Sequence, residues 1–186
     1  MSVRDVLIVG AGPSGLATAI AAKQQGLDYV IVEKGVLVDA IFNFPTNMVF
    51  FTTPELLEIG GLPLVTPYDK PTRLEALRYY RRVVDTYGLQ VSFDERVIEI
   101  EREDGVFVVT TEKTAPEPGG SAAQDPPYVP HYVPHPDEGA ASGTPRRPGA
   151  AERTRHIQVR HARAVVLAIG SLKASGYHSG DRLDDD

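Results

Sequence analysis

The sequence predicts an α/β fold in which a parallel sheet carries a small inserted antiparallel layer of three strands. Two observations predict it. Residues 6–33 have the pattern of strand, glycine-rich turn, helix and second strand, which is typical of a parallel sheet. Further along, residues 96–101 and 106–111 alternate apolar and polar side chains around Asp104-Gly105, a strong hairpin signal. Alternation indicates strands with one solvated face, so this hairpin belongs to an antiparallel layer outside the central sheet.

A glycine-rich turn follows the first strand. Gly10, Gly12 and Gly15 form the pattern G-x-G-x-x-G directly after the apolar run VLIV. In such a turn the first glycine permits the tight bend and the second lets the main chain approach a pyrophosphate. The third allows the helix to lie close to the sheet. The helix N-terminus adds free N–H groups and partial positive charge. We therefore predict a Rossmann-like unit that binds the diphosphate of a dinucleotide.

An acidic residue closes the second strand of this unit. Glu33 follows the strand at 28–32, where a carboxylate can accept both hydroxyls of an adenosine ribose. A carboxylate disfavours a 2′-phosphate at the same place, so the predicted ligand is FAD or NAD rather than NADP. The alternative is an ordinary β-α-β unit with a glycine turn and no nucleotide.

Composition narrows the class of protein. The 186 residues suffice for one domain with a sizeable core and an appendage. A net charge of −6 argues against nucleic acid as a partner. The absence of cysteine excludes a disulfide scaffold, a thiolate metal site and a redox dithiol within this sequence. No signal-peptide pattern or membrane-length apolar run is present, and we expect a soluble, cytoplasmic protein with no membrane association.

The stretch after the second strand mixes apolar runs with turn residues. An apolar run at 36–42 is of uncertain type. The turn at 43–47 carries asparagine amides able to bond a polar ring edge, the alternative being a connecting loop with a packed Phe. Residues 48–52 (MVFFT) predict a short strand, and Thr53 is a candidate N-cap for a short helix beginning at Pro54.

The clearest long helix begins after Thr72. Thr72 and Glu75 fit a capping box, apolar residues follow at helical spacing, and Gly88 ends the helix before a strand at 89–93. Its arginines suggest either a phosphate-binding surface or a solvated helix face, and the charge pattern favours the solvated face. These arginines are Arg73, Arg78, Arg81 and Arg82.

The segment 114–151 differs in kind from the rest, because it holds nine of the fifteen prolines. We predict a disordered or polyproline-like insertion. Its repeat places His131 and His135 four residues apart, but the intervening prolines forbid the helix that would align them. We therefore predict no metal site there.

Two further strands follow the insertion. Residues 155–160 alternate and can complete the antiparallel layer, which makes the insertion an enlarged hairpin loop. Residues 164–169 predict a buried parallel strand that ends at Gly170, where the main chain could approach a cofactor or simply turn. Residues 172–186 are polar and predict a frayed tail.

Three long stretches resemble the FAD-binding half of thioredoxin-reductase-like flavoproteins with two dinucleotide-binding domains. Within that class they are similar to the bacillithiol-disulfide-reductase family. The stretches are VLIVGAGPSGLATAI with VEKG at 32–35, IFNFPTNMVFFTTPELLEIGGLP at 41–63, and KPTRLEALRYYRRVV at 70–84. The resemblance covers 5–112 and resumes over 156–170. It implies an FAD-binding domain at 1–113 and 152–171, the insertion 114–151 without a counterpart, and the tail 172–186.

The resemblance implies an enzyme that passes electrons from NADPH through FAD to a low-molecular-weight thiol disulfide; the family also allows a homo-oligomer. By matching position, the loop at 10–15 would hold the FAD pyrophosphate and Glu33 the ribose, with Lys34 beside it. Asn43 would reach the flavin region and Val97 would offer its main chain to the adenine. The implied cofactor-binding residues are Gly10, Gly12, Pro13, Ser14, Gly15, Glu33, Lys34, Asn43, Val97, Ala168 and Gly170.

Several departures from the family pattern bear on activity. Ser14 stands where the family has a cysteine, and a hydroxyl cannot form a mixed disulfide, so the catalytic residue is unassigned. No second glycine fingerprint follows Gly170, and Gly180-Asp181 lacks the strand that precedes this motif in the family. We expect a truncated or diverged product without the NADPH domain, inactive alone. The alternatives are a non-catalytic FAD- or NAD-binding module and, third, a flavin monooxygenase.

Overall fold

A computed structural model describes residues 2–114 and 155–169. Three predictions lie outside the described residues: the paired histidines of the insertion, Gly170 at the end of the last strand, and Gly180-Asp181 in the tail. All but Thr114 of the predicted insertion lies outside them as well.

Six strands form a single sheet in the described residues. They are β1 (Val3–Val9), β2 (Tyr29–Val32), β3 (Val91–Ser92), β4 (Glu95–Glu103), β5 (Val106–Thr114) and β6 (Arg155–Leu167). Their order is β3-β2-β1-β6-β5-β4. The pairs β1–β2, β2–β3 and β1–β6 are parallel, whereas β4–β5 and β5–β6 are antiparallel. The predicted combination of parallel strands with three antiparallel strands is therefore confirmed, but the antiparallel strands are joined to the central sheet through β6 and do not form a sheet outside it.

The strand β6 belongs to both parts of the sheet. The sequence predicts two strands here, at 155–160 and 164–169, but the structure has one continuous strand. Its first half pairs with β5 and its second half with β1, and the buried Ala162 pairs with both. Thr114 faces Arg155 across the antiparallel β5–β6 pair, so the residues on either side of the predicted insertion are neighbours in the sheet.

Helices cover one face of the parallel strands. They are α1 (Pro13–Gln24), α2 (Asp39–Phe42) and α3 (Arg73–Tyr87), with a single 3₁₀ turn at Pro54–Leu56. The core beneath them includes the fully buried side chains of Ile8, Leu16, Ile31, Tyr80 and Val83. Among the described residues, no helix has both the length and the apolar character needed to cross a bilayer.

The antiparallel strands cover the opposite face. Alternate residues of a strand point to opposite faces, so Leu7 belongs to a second core while its neighbour Ile8 belongs to the first. This second core joins Leu7, Val30 and Val32 of the parallel strands to Val109 of β5. Although β2 and β4 lie far apart in the sheet order, β4 returns to the end of β2, since the sheet folds back on itself at β6.

Local signals in the sequence correspond closely to the observed turns and helix ends. Thr72 and Glu75 form both bonds of the predicted capping box, and Gly88 ends α3 in a left-handed conformation. The β4–β5 turn has positive φ at both Asp104 (48°) and Gly105 (83°), the arrangement that suits a two-residue hairpin.

The predicted strand at 48–52 is wrong. Val49 forms only an isolated bridge with Thr72, and Phe51 is 91% exposed. A short apolar run indicates a buried strand only where a sheet edge can accept it. Here the main chain is held instead by the start of α3, because Phe50 N donates to Pro71 O at 2.9 Å.

Candidate dinucleotide-binding site

The glycine-rich turn lies where β1 meets α1, and steric contacts fix its shape. Gly10 has a φ of +106°, and a Cβ there would lie 2.6 Å from the carbonyl oxygen of Ala168. A Cβ on Gly15 would lie 1.9 Å from the carbonyl oxygen of Gly10. Both glycines are therefore required by close main-chain approach within the protein itself. Ala168, which is also in the predicted site, donates its N–H to Val9 O at 2.8 Å. The turn at 10–15 together with Ala168 is called the glycine corner below.

Gly12 differs from its two neighbours in the turn. Within the described part of the chain, a Cβ on Gly12 would meet no atom within 4 Å, and the residue has φ −79° and ψ 177°, which any residue adopts. Neither sterics nor conformation in the fold therefore accounts for glycine at this position. The main chain at Gly12 is open on this side, an arrangement that would let a pyrophosphate approach it.

The N-terminus of α1 opens beside Gly12. Pro13 is the first helical residue, no side chain caps the helix, and its first turn contains no acidic residue. The side chain of Ser14 is exposed on this turn. Because the first N–H groups of a helix have no intrahelical acceptor, this end presents donors and a partial positive charge suited to an anion.

Glu33 lies against the glycine-rich turn, as its predicted role requires. Its Oε2 accepts a hydrogen bond from Ala11 N at 2.8 Å, and its Oε1 accepts one from Gly35 N at 2.9 Å. The residue is only 6% exposed. Each carboxylate oxygen can accept a second bond, so the group retains capacity for ribose hydroxyls. Lys34 follows it and is exposed.

A second residue holds the turn through the same alanine. Val38 N donates to Ala11 O at 3.1 Å, so both main-chain groups of Ala11 have partners. Val38 is buried and has φ 47° and ψ 47°, a left-handed conformation that is unusual for a β-branched residue. No sequence signal marks this position, because its strain arises from the tertiary contact.

Asn43 lies at the C-terminal end of α2. Its Nδ2 donates to the carbonyl oxygen of Asp39 at 2.8 Å and to Asp39 Oδ2 at 3.0 Å. The predicted amide contact to a ring edge therefore competes with these local bonds. Val97 lies on β4, half-buried in the second core, two residues beyond Glu95. The structure thus brings together five of the predicted site residues: Gly10, Gly12, Gly15, Glu33 and Ala168. Val97 lies on β4, whose first residue, Glu95, donates its N–H to Glu33 O.

Three of the four arginines of α3 are exposed, in agreement with the predicted solvated face: Arg78, Arg81 and Arg82. Arg73 donates to the carbonyl oxygens of Ile41 and Phe42, and Arg82 donates to that of Pro63. Arg73 therefore binds carbonyl oxygens of α2, and Arg82 binds a carbonyl oxygen of a loop. Arg81 lies 3.7 Å from Asp85 in an exposed pair. The prediction of a solvated face did not include the contacts of Arg73 and Arg82, because the sequence does not show which segments pack beside the helix.

An ion pair lies beside Glu33, and sequence analysis missed it; its carboxylate is fully buried and its arginine side chain is 22% exposed. Glu95 begins β4 with a fully buried side chain, and Arg160 of β6 binds both of its oxygens, at 2.6 and 2.7 Å. Thr111 Oγ1 donates to Oε1 at 2.7 Å and Ser92 Oγ donates to Oε2 at 2.6 Å. Lys113 Nζ lies 3.9 Å from the carboxylate. In the sequence these residues resemble ordinary strand residues of an exposed hairpin.

The environment of Glu95 keeps it ionised. Burial raises the pKa of its carboxyl, but hydrogen bonds from Arg160, Ser92 and Thr111 outweigh this and hold the pKa at about 2. The same pairing raises the pKa of Arg160. A carboxylate with this many donors is stable in the interior only while all of its partners remain in place.

Comparisons with known proteins agree with this geometry. Residues 7–117, more than half of the chain, match the family described as pyridine nucleotide-disulphide oxidoreductase. Bacilliredoxin reductase Bdr of Bacillus subtilis is 46% identical over 84 residues, which are 45% of this chain and 26% of that protein. The resemblance predicted from the sequence is thus confirmed.

Two solved structures are similar as well. Bacillithiol disulfide reductase Bdr from Bacillus cereus superposes with a TM-score of 0.65 at 30% identity, covering 89% of this chain and 39% of that one. Bdr from Staphylococcus aureus gives a TM-score of 0.58 at 40% identity, covering 60% and 34%. The chain therefore spans between about a quarter and two fifths of the length of these relatives. On the strength of the family match and the glycine corner, the chain belongs to the pyridine nucleotide-disulphide oxidoreductase family.

Proposed function

We propose that this chain is the FAD-binding part of an NADPH-dependent flavoprotein that reduces a low-molecular-weight thiol disulfide. The observation that carries the proposal is Gly12, where a Cβ would meet no atom of the described residues within 4 Å, which leaves room for a diphosphate beside the main chain. The similar proteins named as bacillithiol disulfide reductases supply the substrate class.

The residues of the corner would bind and orient the cofactor. The main chain from Gly10 to Gly15 and the first turn of α1 would hold the diphosphate, and Glu33 would accept the ribose hydroxyls. FAD, when bound, supplies hydride and electron transfer between NADPH and the disulfide. Binding at this corner would fix the adenosine end of the cofactor.

Ser14 bears on the reduction step. The sequence contains no cysteine, so no mixed disulfide between this chain and the substrate can form. We propose that these 186 residues alone bind FAD but do not oxidise NADPH at an appreciable rate. A second function, nucleotide binding without catalysis, is favoured by the same serine.

The test of the proposal compares two glycine-to-alanine variants. Gly12→Ala should raise the dissociation constant for FAD at least about tenfold, the equivalent of 1.4 kcal/mol, because its methyl group enters the space of the diphosphate. Its unfolding midpoint should hardly change. The matched control is Gly26→Ala at the far end of α1, where φ is +70° and a Cβ also meets no atom within 4 Å. That variant should lose stability and keep its affinity for FAD.

Affinity is measured by titrating flavin fluorescence, and stability by urea unfolding. Equal affinity of Gly12→Ala and the unsubstituted protein would refute the proposed site. Anaerobic addition of NADPH to the FAD-loaded chain separates the two functions. The flavin absorption should persist, and rapid bleaching would contradict our proposal that this chain does not oxidise NADPH.

A further inference from the structure

We propose that Arg160 and Glu95 are positioning residues for the adenosine end of the site, because their ion pair holds Glu33 in place against the glycine-rich turn. The proposal rests on the proposed function and names residues outside the predicted site that determine its affinity. Neither residue would touch the ligand.

The first step of the argument is the main chain of Glu33. Its N–H donates to Ser92 O at 2.9 Å, and its carbonyl oxygen accepts a hydrogen bond from Glu95 N at 2.9 Å. Both main-chain groups of the acid are thus bonded to the turn that joins β3 to β4. The position of Glu33 therefore follows the position of this turn.

The second step is what fixes the turn. Asp94, inside it, has a φ of 53°, a conformation that costs free energy and needs support from its surroundings. The support comes from Glu95, whose four side-chain hydrogen bonds, two of them from Arg160, tie the turn to β5 and β6. Four bonds occupy the usual acceptor capacity of a carboxylate, so the geometry of Glu95 is fully determined.

The third step connects Glu33 to the ligand site. Glu33 Oε2 accepts the N–H of Ala11, which lies between Gly10 and Gly12. A continuous chain of contacts therefore runs from Arg160 through Glu95 and Glu33 to the turn that would hold the diphosphate. A binding constellation must be held to about 0.5 Å by its supporting residues, and this chain of contacts provides that support.

The experiment measures two dissociation constants, for ADP and for 2′-deoxy-ADP, by calorimetry on the whole chain. The intact protein should prefer ADP, because Glu33 accepts the ribose hydroxyls. Arg160→Gln should raise the dissociation constant for ADP about tenfold, since Glu33 is no longer held in place. The ratio of the dissociation constants for 2′-deoxy-ADP and ADP should fall towards one for the same reason. A merely structural role would lower stability and leave this preference unchanged.

The matched control is Arg155→Gln on the same strand. Arg155 lies 3.5 Å from Glu112 in an ion pair and its side chain is 71% exposed. Exposed pairs contribute little, so this variant should keep both dissociation constants within about twofold. It removes the same charge from β6 without touching Glu95.

Arg160→Gln could fail to fold, because it leaves Glu95 buried without its cation. The double variant Glu95→Met with Arg160→Met avoids this difficulty, since apolar replacement of a buried pair is often neutral for stability. We expect it to fold and to show the same loss of preference. A folded double variant that keeps the preference of the intact protein would overturn the proposal.

The outcomes also separate this proposal from the proposed function. If the intact protein binds neither ADP nor FAD, the dinucleotide site itself is refuted, and the positioning role falls with it. If the intact protein and the Arg160 variants all bind ADP with the same preference, only the positioning role is refuted.

Discussion

The two faces of the parallel sheet are closed by different kinds of interaction. On the helical face, apolar packing is joined by tyrosine hydroxyls. Tyr79 Oη accepts the N–H of Ile59 at 2.7 Å and donates to Leu62 O at 2.8 Å, and Tyr80 Oη donates to Leu57 O at 3.0 Å. On the other face, the apolar core ends at the buried pair of Glu95 and Arg160.

This difference shows that the two faces respond to different conditions. Burial and the neighbouring Tyr79 raise the pKa of Tyr80 to about 12, so the tyrosine contacts stay neutral at every physiological pH. The ion pair on the other face depends on an ionised carboxylate. Glu33 contacts both the glycine-rich turn, through Ala11, and the residues around the ion pair, through Ser92 and Glu95. The proposed site therefore has a steric side, the turn shaped by close contacts of its glycines, and a charged side, the ion pair of Glu95 and Arg160 that supports Glu33.

The largest expected effect tests the steric side. Gly15→Ala should lower the free energy of unfolding by about 4 kcal/mol or more, since its Cβ would lie 1.9 Å from a main-chain oxygen that cannot move aside. Gly12→Ala should change it by less than about 0.5 kcal/mol. Urea unfolding of both variants provides the measurement. Similar losses in the two would mean that the turn is not held by this contact.

The next effect tests the charged side through pH. Because the pKa of Glu95 is about 2 in the folded protein, below its unfolded value, its stabilisation is present above about pH 5 and is lost as the pH falls towards 2. The loss should reach about 3 kcal/mol. Glu95→Gln cannot titrate, so the stability difference between the intact protein and this variant should shrink over that pH range. Unfolding curves between pH 7 and about pH 2 give the difference, and a constant value would contradict the assignment.

Much of the steric side could be predicted from the sequence, because short-range rules determine it. The spacing of Gly10, Gly12 and Gly15 gave the turn, and Glu33 followed from its place at the end of the second strand. Likewise, Thr72 and Gly88 marked both ends of α3. Each of these signals depends on neighbours within a few residues, where main-chain geometry leaves few alternatives.

The charged side could not be predicted, because its partners are far apart in the sequence. Glu95 and Arg160 are 65 residues apart and meet because their strands, β4 and β6, flank β5 in the sheet. The failed strand at 48–52 has a related cause, since its apolar letters match a strand while the contacts that hold it come from the start of α3. The spacing of apolar residues indicates which face of an element is apolar, but it does not indicate which other element packs against that face.

A smaller effect tests the tyrosine contacts of the helical face. Tyr79→Phe should lower the free energy of unfolding by about 2 kcal/mol, since it leaves Ile59 N and Leu62 O without their partner. The loss should be the same at pH 4 and pH 8, unlike that of Glu95→Gln. Tyr68→Phe is the control, because Tyr68 is 70% exposed, and it should change stability by less than about 0.5 kcal/mol. A pH-dependent loss in Tyr79→Phe would show that the two faces are not independent.

The smallest effect concerns the strained residue that holds Ala11 from the helical side. Val38 combines a buried side chain with a φ of 47°. Shortening it to alanine removes buried methyl groups and keeps the strain, which should cost about 1.5 kcal/mol. Shortening it to glycine loses slightly more burial but removes a left-handed strain of about 1–2 kcal/mol. Val38→Gly should therefore be more stable than Val38→Ala by about 1 kcal/mol, the reverse of the usual order for these two residues. Urea unfolding of the two variants decides it, and alanine proving the more stable would mean that Val38 carries no strain.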